Sequence, residues 1–405
     1  MSRTIKAVER HMIPQAKVPP VRLGLQSRAA KLVAEWQQRG PRNTFRTCIS
    51  KAALGLGAVA VRDNRGCGRR LGEAMRGAIE RNRVGVREMD LMKAIRIHNY
   101  GGPEVLQYED APSSKPAPGE VLIRVHAAGV NPADWKVREG HLKRFVQHKF
   151  PLILGWDLSG VIEEVGGNPA AAGRFKKGDE VFSKSDTSRD GAYADYVVGR
   201  ESEVALKPKS LHHVYAAAVP LAGITAWQAL FDVGQLKRGQ RVLIHGGSGG
   251  VGHLAVQFAK WKGAHVIATS STKNQQLLQE IGVDQPIDYT TQRFEQITRN
   301  VDVVLDTIGG DTQERSRKVL KKRGLLASVV QSPDAEKAKE FGVRSAFVLS
   351  QPNGNELAEI AALIDSGNLK VVLDRILPLS EARRAHELSQ NGHPRGKIVL
   401  RVKED

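Results

Sequence analysis

The sequence predicts an α/β protein in which a doubly wound parallel sheet is joined to a smaller, β-rich unit. From 215 to 350, short apolar runs alternate with amphipathic helical stretches, a pattern typical of parallel β-α-β units. From 92 to 214, short alternating runs are separated by Gly and Pro, which indicates strands and turns. The tail, 351–405, ends on the strand-like "RGKIVLRV", so we expect it to return to the β-rich unit.

The individual elements follow from the period of the apolar residues. The β-rich unit contains strands in "MKAIRIHNY", "EVLIRVHAAGV" and "LSGVIEEVG", and further strands in "GDEVFS" and "GAYADYVVG". The stretch 210–231 is predicted to be helical, and Pro220 breaks it. The parallel sheet then takes its strands from "RVLIHG", "AHVIATS", "VDVVLDTIG", "GLLASVV" and "SAFVLS". Helices are predicted at 250–261, in "KNQQLLQEIG" and in "ELAEIAALIDSG".

Length and cysteine content limit the class of protein. A chain of 405 residues is long enough for two or three domains with a sizeable core. Its two cysteines, Cys48 and Cys67, exclude a disulfide framework and a four-cysteine zinc site. We therefore expect a cytoplasmic protein in a reducing compartment. The apolar run at 52–61 is too short to span a bilayer, so no membrane partner is expected.

Residues 1–91 differ from the rest of the chain and carry most of its net charge of +18. They contain few periodic apolar stretches, so we expect a basic, poorly ordered extension that is not part of the fold. A targeting peptide and a basic arm for nucleic acid or membrane are the alternatives. The remaining chain is only mildly positive, so nucleic acid is not expected as a partner of the main domain.

The stretch "LIHGGSGGVGHLAVQFAK" (243–260) contains the pattern G-x-G-x-x-G between a strand and a helix. Glycines there allow a tight turn and a close approach of the backbone to a pyrophosphate, while the helix N terminus attracts the anion. A turn that serves packing alone is the alternative. We predict that this turn binds a dinucleotide through Gly247, Gly249, Gly250, Val251 and Gly252.

The end of the next strand indicates which dinucleotide is bound. A site for NAD places Asp or Glu there to bond the ribose hydroxyls, but the sequence reads "ATSSTKN" (268–274) and has no acid. The hydroxyls of Ser270, Ser271 and Thr272 and the charge of Lys273 suit a 2′-phosphate. A solvated polar loop would still leave NAD without its acidic partner. The sequence therefore favours NADP(H) as the cofactor.

Several motifs occur in order from residue 92 to the C terminus. They are "MKAIRIHNYGGPEVL" (92–106), "AAGVNPADWKVREG" (127–140), "PLILGWDLSGVIEEVG" (151–166), "LAGITAWQAL" (221–230), the glycine stretch, "VDVVLDTIGG" (301–310) and "RGKIVLRV" (395–402). Together they resemble the medium-chain dehydrogenase/reductase superfamily, and within it the zinc-independent quinone oxidoreductase and enone reductase branch. The resemblance implies a GroES-like β domain (92–214 and 351–405) packed on a Rossmann domain (215–350), with the active site between them. It also implies a homodimer that pairs the last Rossmann strand near Ser345–Ser350.

The chain departs from the zinc-dependent members of that superfamily. Where those relatives carry a ligand Cys and His, this sequence has Asn131-Pro132 and Trp156. The chain has no cysteine after Cys67, so its histidines lack convergent thiol partners. We expect no metal. Without zinc to hold an alkoxide, hydride transfer from NADPH to a small electrophile, a quinone or an α,β-unsaturated carbonyl, is the favoured reaction. A zinc-free aldehyde or ketone reductase and a non-catalytic NADPH- or RNA-binding protein are the alternatives.

The resemblance also assigns site residues by position. Asn131 and Lys136 of "NPADWK" would line the nicotinamide pocket, with Lys136 near the ribose or the substrate oxygen. Asp134 would either orient Lys136 or cap a short helix, and Trp156 would either wall the cleft or belong to the core. Further cofactor positions are Thr225 near the nicotinamide, Asn274 in the 2′-phosphate loop, Tyr289 beside the adenine, and Arg395 and Lys397 as returning positive charge.

Overall fold

A computed structural model describes residues 91–167, 173–391 and 394–404. This part of the chain forms two lobes, one built on antiparallel sheets and the other on a parallel sheet. The predicted α/β architecture, a parallel sheet joined to a β-rich unit, is thereby confirmed. The expected basic extension, with its alternatives, falls outside the described residues.

The first lobe contains two sheets. A three-stranded sheet has the order β2-β1-β4, with β1 at Leu91–Ile97, β2 at Gln107–Pro112 and β4 at Leu152–Ile153. The larger sheet has the order β15-β16-β3-β5-β6-β8, and β7 also pairs with β3. Its strands are β3 (Glu120–Val130), β5 (Asp157–Val165), β6 (Glu180–Lys184), β7 (Tyr196–Arg200), β8 (Val204–Leu206), β15 (Leu373–Pro378) and β16 (Lys397–Arg401). The C-terminal tail therefore completes this sheet, because β16 pairs antiparallel with β3.

The second lobe is a six-stranded parallel sheet. Its strands are β9 (Arg241–Ile244), β10 (His265–Ser270), β11 (Gln285–Asp288), β12 (Val301–Asp306), β13 (Leu320–Ser328) and β14 (Arg344–Phe347), in the order β11-β10-β9-β12-β13-β14. Both faces are covered, since Val242 and Ile244 join one apolar cluster and Leu243 joins another. Strands buried on both faces explain the continuous apolar runs in the sequence.

Helices connect these strands. The α-helices are α1 (Pro132–Arg138), α2 (His213–Ala216), α3 (Pro220–Trp227), α4 (Gly252–Trp261), α5 (Gln275–Glu280), α6 (Phe294–Ile297), α7 (Gly310–Ser316), α8 (Ala335–Glu340), α9 (Gly354–Asp365) and α10 (Ala382–Asn391). Short 3₁₀ turns lie at Pro103–Val105, Glu201–Glu203, Thr272–Asn274 and Leu379–Glu381, and a π-helical turn at Gln228–Val233 follows α3.

The helical stretch predicted at 210–231 is divided as expected. Pro220 stands at the first position of α3, where its missing N–H costs nothing. The stretch 213–233 is longer than the apolar run at 52–61, and it is long and apolar enough to cross a membrane. It is, however, 72% buried inside the protein, as expected for a core helix.

The helix that follows residue 351, the predicted boundary, contacts both lobes. The buried face of α9, including Leu357, Ile360 and Ile364, packs into the apolar cluster that holds α3 and α4, and α9 also packs against β8 of the first lobe. The buried residues of α9 fall at helical spacing. The first strand of the tail to join the first sheet is β15.

Candidate active site

A cavity of about 870 Å³ lies between the two lobes, at the carboxyl ends of the parallel strands. The loops that follow β9, β10, β12, β13 and β14 all contribute to its wall. The order of the strands reverses between β9 and β12, and such switch points open a crevice that binds ligands. Thr307 closes the base of this crevice, because its hydroxyl donates to His245 O at 2.8 Å.

The glycines in the turn after β9 have two roles. Some allow close packing, and others leave the backbone open to the cavity. A Cβ at Gly252 would lie 2.1 Å from Gly246 O, so the start of α4 touches the turn directly. A Cβ at Gly247 would lie 2.8 Å from that of Ala268, so Gly247 permits the close approach of β10. A Cβ at Gly249 would meet only Gly246 O, at 3.3 Å, and would otherwise extend into open space. The bare backbone beside α4 is therefore a cradle that a pyrophosphate fits.

The first lobe reaches this turn through its C-terminal strand. Gly396 forms a parallel bridge with Gly249, and its N–H donates to Ser248 O at 2.8 Å. Lys397 follows, and its side chain lies against Gly250, where a Cβ would come 3.0 Å from Lys397 Cδ. The sequence motif near the C terminus thus joins the two lobes at the phosphate cradle.

A buried network of three side chains lies behind the cavity wall. Asp157 Oδ2 accepts from Asn131 Nδ2 at 2.9 Å and lies 3.4 Å from Lys397 Nζ. Asp157 Oδ1 accepts from the N–H of Leu221 at 2.6 Å, which ties α3 to the first lobe. Lys397 Nζ also donates to Asn131 Oδ1 and Val130 O. Burial raises the pKa of Asp157, and the charge of Lys397 opposes that rise.

Asp134 serves as the capping acid of α1. Its Oδ2 accepts from the N–H of Asn131 at 2.8 Å and from the Tyr193 hydroxyl at 2.8 Å, while its Oδ1 is buried without a partner. Burial raises the pKa of this carboxyl to about 7. No hydrogen bond joins it to Lys136 in the described chain. Of the two predicted roles, the structure supports capping, because the carboxylate points into the helix start.

Lys136 faces the cavity, whereas Trp156 lies in the core of the first lobe. Lys136 lines the cavity, with its ammonium 5.6 Å from the Trp135 ring centroid, and partial burial lowers its pKa. Trp156 is fully buried in the first-lobe core, where Nε1 donates to Arg189 O at 2.9 Å. The predicted role of Trp156 at the cleft is therefore wrong. An indole that fills the core cannot also contact a ligand.

The loop after β10 is split between cavity and solvent. Ser270, Ser271 and Asn274 line the cavity, as does Tyr289. Asn274 Nδ2 donates to Ser248 Oγ at 3.1 Å, which links this loop to the glycine turn.

Two residues of the predicted phosphate-binding loop do not reach the cavity wall. Thr272 donates its hydroxyl to Asp288 Oδ2 at 2.6 Å, and Lys273 is exposed outside the wall. Arg395 is likewise exposed, and its N–H donates to Asp374 Oδ1 at 3.1 Å. Thr225 does line the cavity, where its hydroxyl donates to Ser350 Oγ at 2.9 Å.

Sequence reasoning missed several residues of this site. Asp157 is the first residue of β5 and Lys184 is the last residue of β6, and both strands also contain glutamates, so neither charge stood out in the sequence. Ser248 and Ser350 gave no signal, since single serines in loops are common. Within residues 91–167, 173–391 and 394–404, no group of three or more His, Cys, Asp or Glu side chains is arranged to hold a metal ion.

Comparison with known proteins agrees with this architecture. The family model described as "Alcohol dehydrogenase GroES-like domain" matches residues 117–209, and the one described as "Zinc-binding dehydrogenase" matches 281–400. The chain is 34% identical over 361 residues to the mitochondrial NAD(P)H oxidoreductase RTN4IP1 of Danio rerio, covering 78% of this chain and 92% of that protein.

Two further relatives are similar over most of their length. The 2-methylene-furan-3-one reductase of Solanum lycopersicum is 35% identical over 76% of this chain and 79% of that protein. The structure of the quinone oxidoreductase from Coxiella burnetii is 38% identical, with a TM-score of 0.71, covering 78% of this chain and 100% of that one.

Proposed function

Because the chain belongs to the medium-chain dehydrogenase/reductase superfamily, in its quinone oxidoreductase and enone reductase branch, we propose that it is an NADPH-dependent, zinc-independent reductase of quinones or α,β-unsaturated carbonyls. The chain is an oxidoreductase of this family, related to enzymes named for NAD(P)H. The observation that carries the finer proposal is that one cavity holds both the glycine cradle and Lys136, whose ammonium has no hydrogen bond or ion pair to a described residue.

A nicotinamide dinucleotide would supply the hydride when bound. The glycine turn and the N terminus of α4 would hold its diphosphate, and Thr225 lines the same cavity. The buried network of Asn131, Asp157 and Lys397 fixes the first-lobe wall against the cradle. Its side chains position the site, because their polar atoms bond one another.

Lys136 provides a donor for the acceptor oxygen. Negative charge develops on that oxygen during hydride transfer, and a preorganised ammonium in a partly dehydrated cleft stabilises it. Partial burial, which lowers the pKa of Lys136, also makes proton donation to the oxygen easier.

Two features support a reaction without zinc. At the ligand positions of the zinc-dependent relatives, Asn131 has its amide bonded to Asp157 and Lys397, and Trp156 is buried in the core. Neither supplies a thiolate or imidazole, the ligands that zinc prefers beside carboxylates. A donor side chain such as Lys136 then takes the place of a Lewis acid.

The test is NADPH oxidation by the purified full chain with quinones, enones and simple aldehydes, with and without a chelator. We expect chelator-resistant turnover of a quinone or enone. Lys136→Met should lower kcat at least about tenfold while the Kd for NADPH changes less than about twofold. Lys339→Met, on the exposed face of α8, is the matched control. Turnover of aldehydes alone, or loss of turnover on chelation, contradicts the proposal.

The preference for NADPH has its own test. Ser270 and Ser271 at the cavity and the absence of an acid at the end of β10 support a 2′-phosphate site. Lys273→Glu should shift the ratio of kcat/KM from NADPH toward NADH if the exposed ammonium folds over the bound phosphate. A ratio equal to that of the wild type would remove Lys273 from the site and leave the serines as the phosphate donors.

A further inference from the structure

Lys184 is a buried lysine that the reaction described above does not use. It is the last residue of β6, and it lies opposite Asp157 in the register of β5 with β6. The residue is only 4% exposed, yet it lines the cavity between the lobes. Its ammonium makes no hydrogen bond or ion pair to any residue in the described part of the chain. Burying an unpaired ammonium is costly, which points to a missing partner.

Asp157, Glu203 and Asp186 act on Lys184 through their charges, but none of them forms a hydrogen bond or ion pair with it in the described part of the chain. Arg200 is paired at 3.1 Å with both Asp186 and Glu203, and Lys397 is paired with Asp157. Among the charged residues that line the cavity in the described ranges, Lys136 and Lys184 are left as unpaired cations, and no carboxylate is left without a cation. The wall therefore carries an excess of positive charge.

Lys184 belongs to the first-lobe part of the cavity wall. Thr187, Arg200 and Ser202 belong to the same part, whereas the cradle and the loop after β10 belong to the second lobe. Apolar side chains such as Leu142 and Val146 complete the first-lobe part of the wall. This part of the cavity suits an acceptor that has an apolar body and one negative group.

We propose that Lys184 binds a carboxylate carried by the acceptor, so that the preferred acceptors are enones or quinones bearing an acidic group. This inference rests on the proposed function, since it names the substrate class of the same site. Burial lowers the pKa of Lys184, and the charges of Asp157, Glu203 and Asp186 act in the opposite direction. A bound carboxylate would favour the charged ammonium further.

Equilibrium binding tests the inference without any reduction. The ligands are 4-oxopentanoate and its methyl ester, which share a skeleton and lack the reducible double bond. Measured by calorimetry on the full chain, the acid should bind at least about tenfold more tightly than the ester, as expected for a charge-assisted hydrogen bond. Lys184→Met should bring the two affinities within about twofold. Lys184→Gln serves if the methionine variant does not fold, and Lys339→Met is the control that should keep the preference.

Several outcomes would overturn the inference. These are equal binding of acid and ester by the wild type, an unchanged preference in the folded Lys184 variants, and a preference that only Lys136→Met removes. Rates with 4-oxo-2-pentenoate and its methyl ester then separate the two proposals. Reduction of both without preference would reject the role of Lys184 and keep the reductase. Selective binding of the acid without any hydride transfer would keep the anion site and reject the reductase.

Discussion

The ammonium of Lys397 and the carboxylate of Asp157 lie 3.4 Å apart and are almost completely removed from water. Desolvating such a pair costs free energy that mutual attraction alone does not always offset. Here Asn131 and the N–H of Leu221 provide further hydrogen bonds to the carboxylate, so its oxygens are satisfied. The pair therefore fixes how β16 meets β5 at the cavity wall.

Removing one partner of this pair should destabilise the protein strongly. Lys397→Met leaves the Asp157 carboxylate buried without its cation, and we expect a loss of about 3 to 5 kcal/mol in the free energy of unfolding. Urea unfolding followed by circular dichroism measures it. The double variant Lys397→Met/Asp157→Asn should recover part of the loss. The coupling would be contradicted if the free energy of unfolding of the double variant fell by the sum of the losses measured for the two single variants.

Asp134 should make stability depend on pH in an unusual direction. Burial raises its pKa in the folded protein to about 7, well above the ordinary value of 3.8. Between these values the unfolded chain has lost the proton that the folded chain keeps, so the stability due to Asp134 falls as pH rises and levels off above about 7. Asp134→Asn, which keeps the shape of the side chain, lacks this dependence.

The free energy of unfolding of Asp134→Asn relative to the wild type should therefore rise by roughly 1 kcal/mol per pH unit between about pH 5 and pH 7. Urea unfolding of both proteins across that range checks it, and taking the difference removes the contribution of other groups, such as the buried His253. A difference that stays constant from pH 5 to 7 would mean that the carboxyl is ionised throughout.

At the scale of elements, the turn from β9 into α4 connects the parallel sheet to the cofactor site. Gly246 adopts a φ of +64°, which glycine reaches without strain, and Gly252 brings the first turn of α4 against it. This close contact aims the N terminus of α4 at the cavity. The spacing of the glycines thus has two purposes, packing at Gly252 and an open backbone at Gly249.

Gly252→Ala should disrupt both the turn and cofactor binding. Its Cβ would lie 2.1 Å from the Gly246 carbonyl oxygen, so either the turn or α4 must shift. We expect the Kd for NADPH, measured by fluorescence, to rise at least about tenfold, together with a loss of stability of about 1 to 3 kcal/mol. In the control Gly199→Ala, the new Cβ would meet its nearest neighbour at an ordinary 3.6 Å. Unchanged NADPH binding in Gly252→Ala would contradict the assigned geometry.

At the scale of the whole molecule, the parallel sheet ends at β14, which has β13 on one side and no described strand on the other. Near this edge Phe347 is 45% exposed and Leu349 is 71% exposed, and both also line the cavity between the lobes. The open edge of β14, with its unpaired backbone groups, favours pairing with another strand. We propose that two copies of the chain pair through β14.

A homodimer should therefore appear at twice the chain mass of 44.3 kDa in sedimentation or light scattering. Ser345→Pro removes a backbone donor from β14 and should shift the protein toward the monomer. Leu91→Pro, at the start of β1 in the first lobe and away from β14, is the control that should leave the dimer intact. A wild-type monomer, or a dimer that Ser345→Pro leaves intact, would reject this edge as the interface.

Local patterns in the sequence determined much of this protein. The period of the apolar residues identified most strands of both lobes, although β2, β4, β8, β11 and β15 were not predicted. The return of the tail to the first sheet followed from "RGKIVLRV". The glycine turn was also predictable, because a tight turn between strand and helix imposes residue types over a short span. These features depend on residues that are close together in the sequence, so the sequence alone is enough to predict them.

Only the tertiary structure decided which polar residues face the cavity. Lys397 and Asp157 are 240 residues apart, and their contact makes Lys397 part of a buried network as well as of the cavity wall. Trp156 lies in the core and Lys273 is exposed to solvent, although both belong to sequence motifs predicted to form the site. Lys184 lines the cleft, where its ammonium has no ion pair with a described residue. Burial and charge pairing depend on distant residues brought together by packing, which no local pattern encodes.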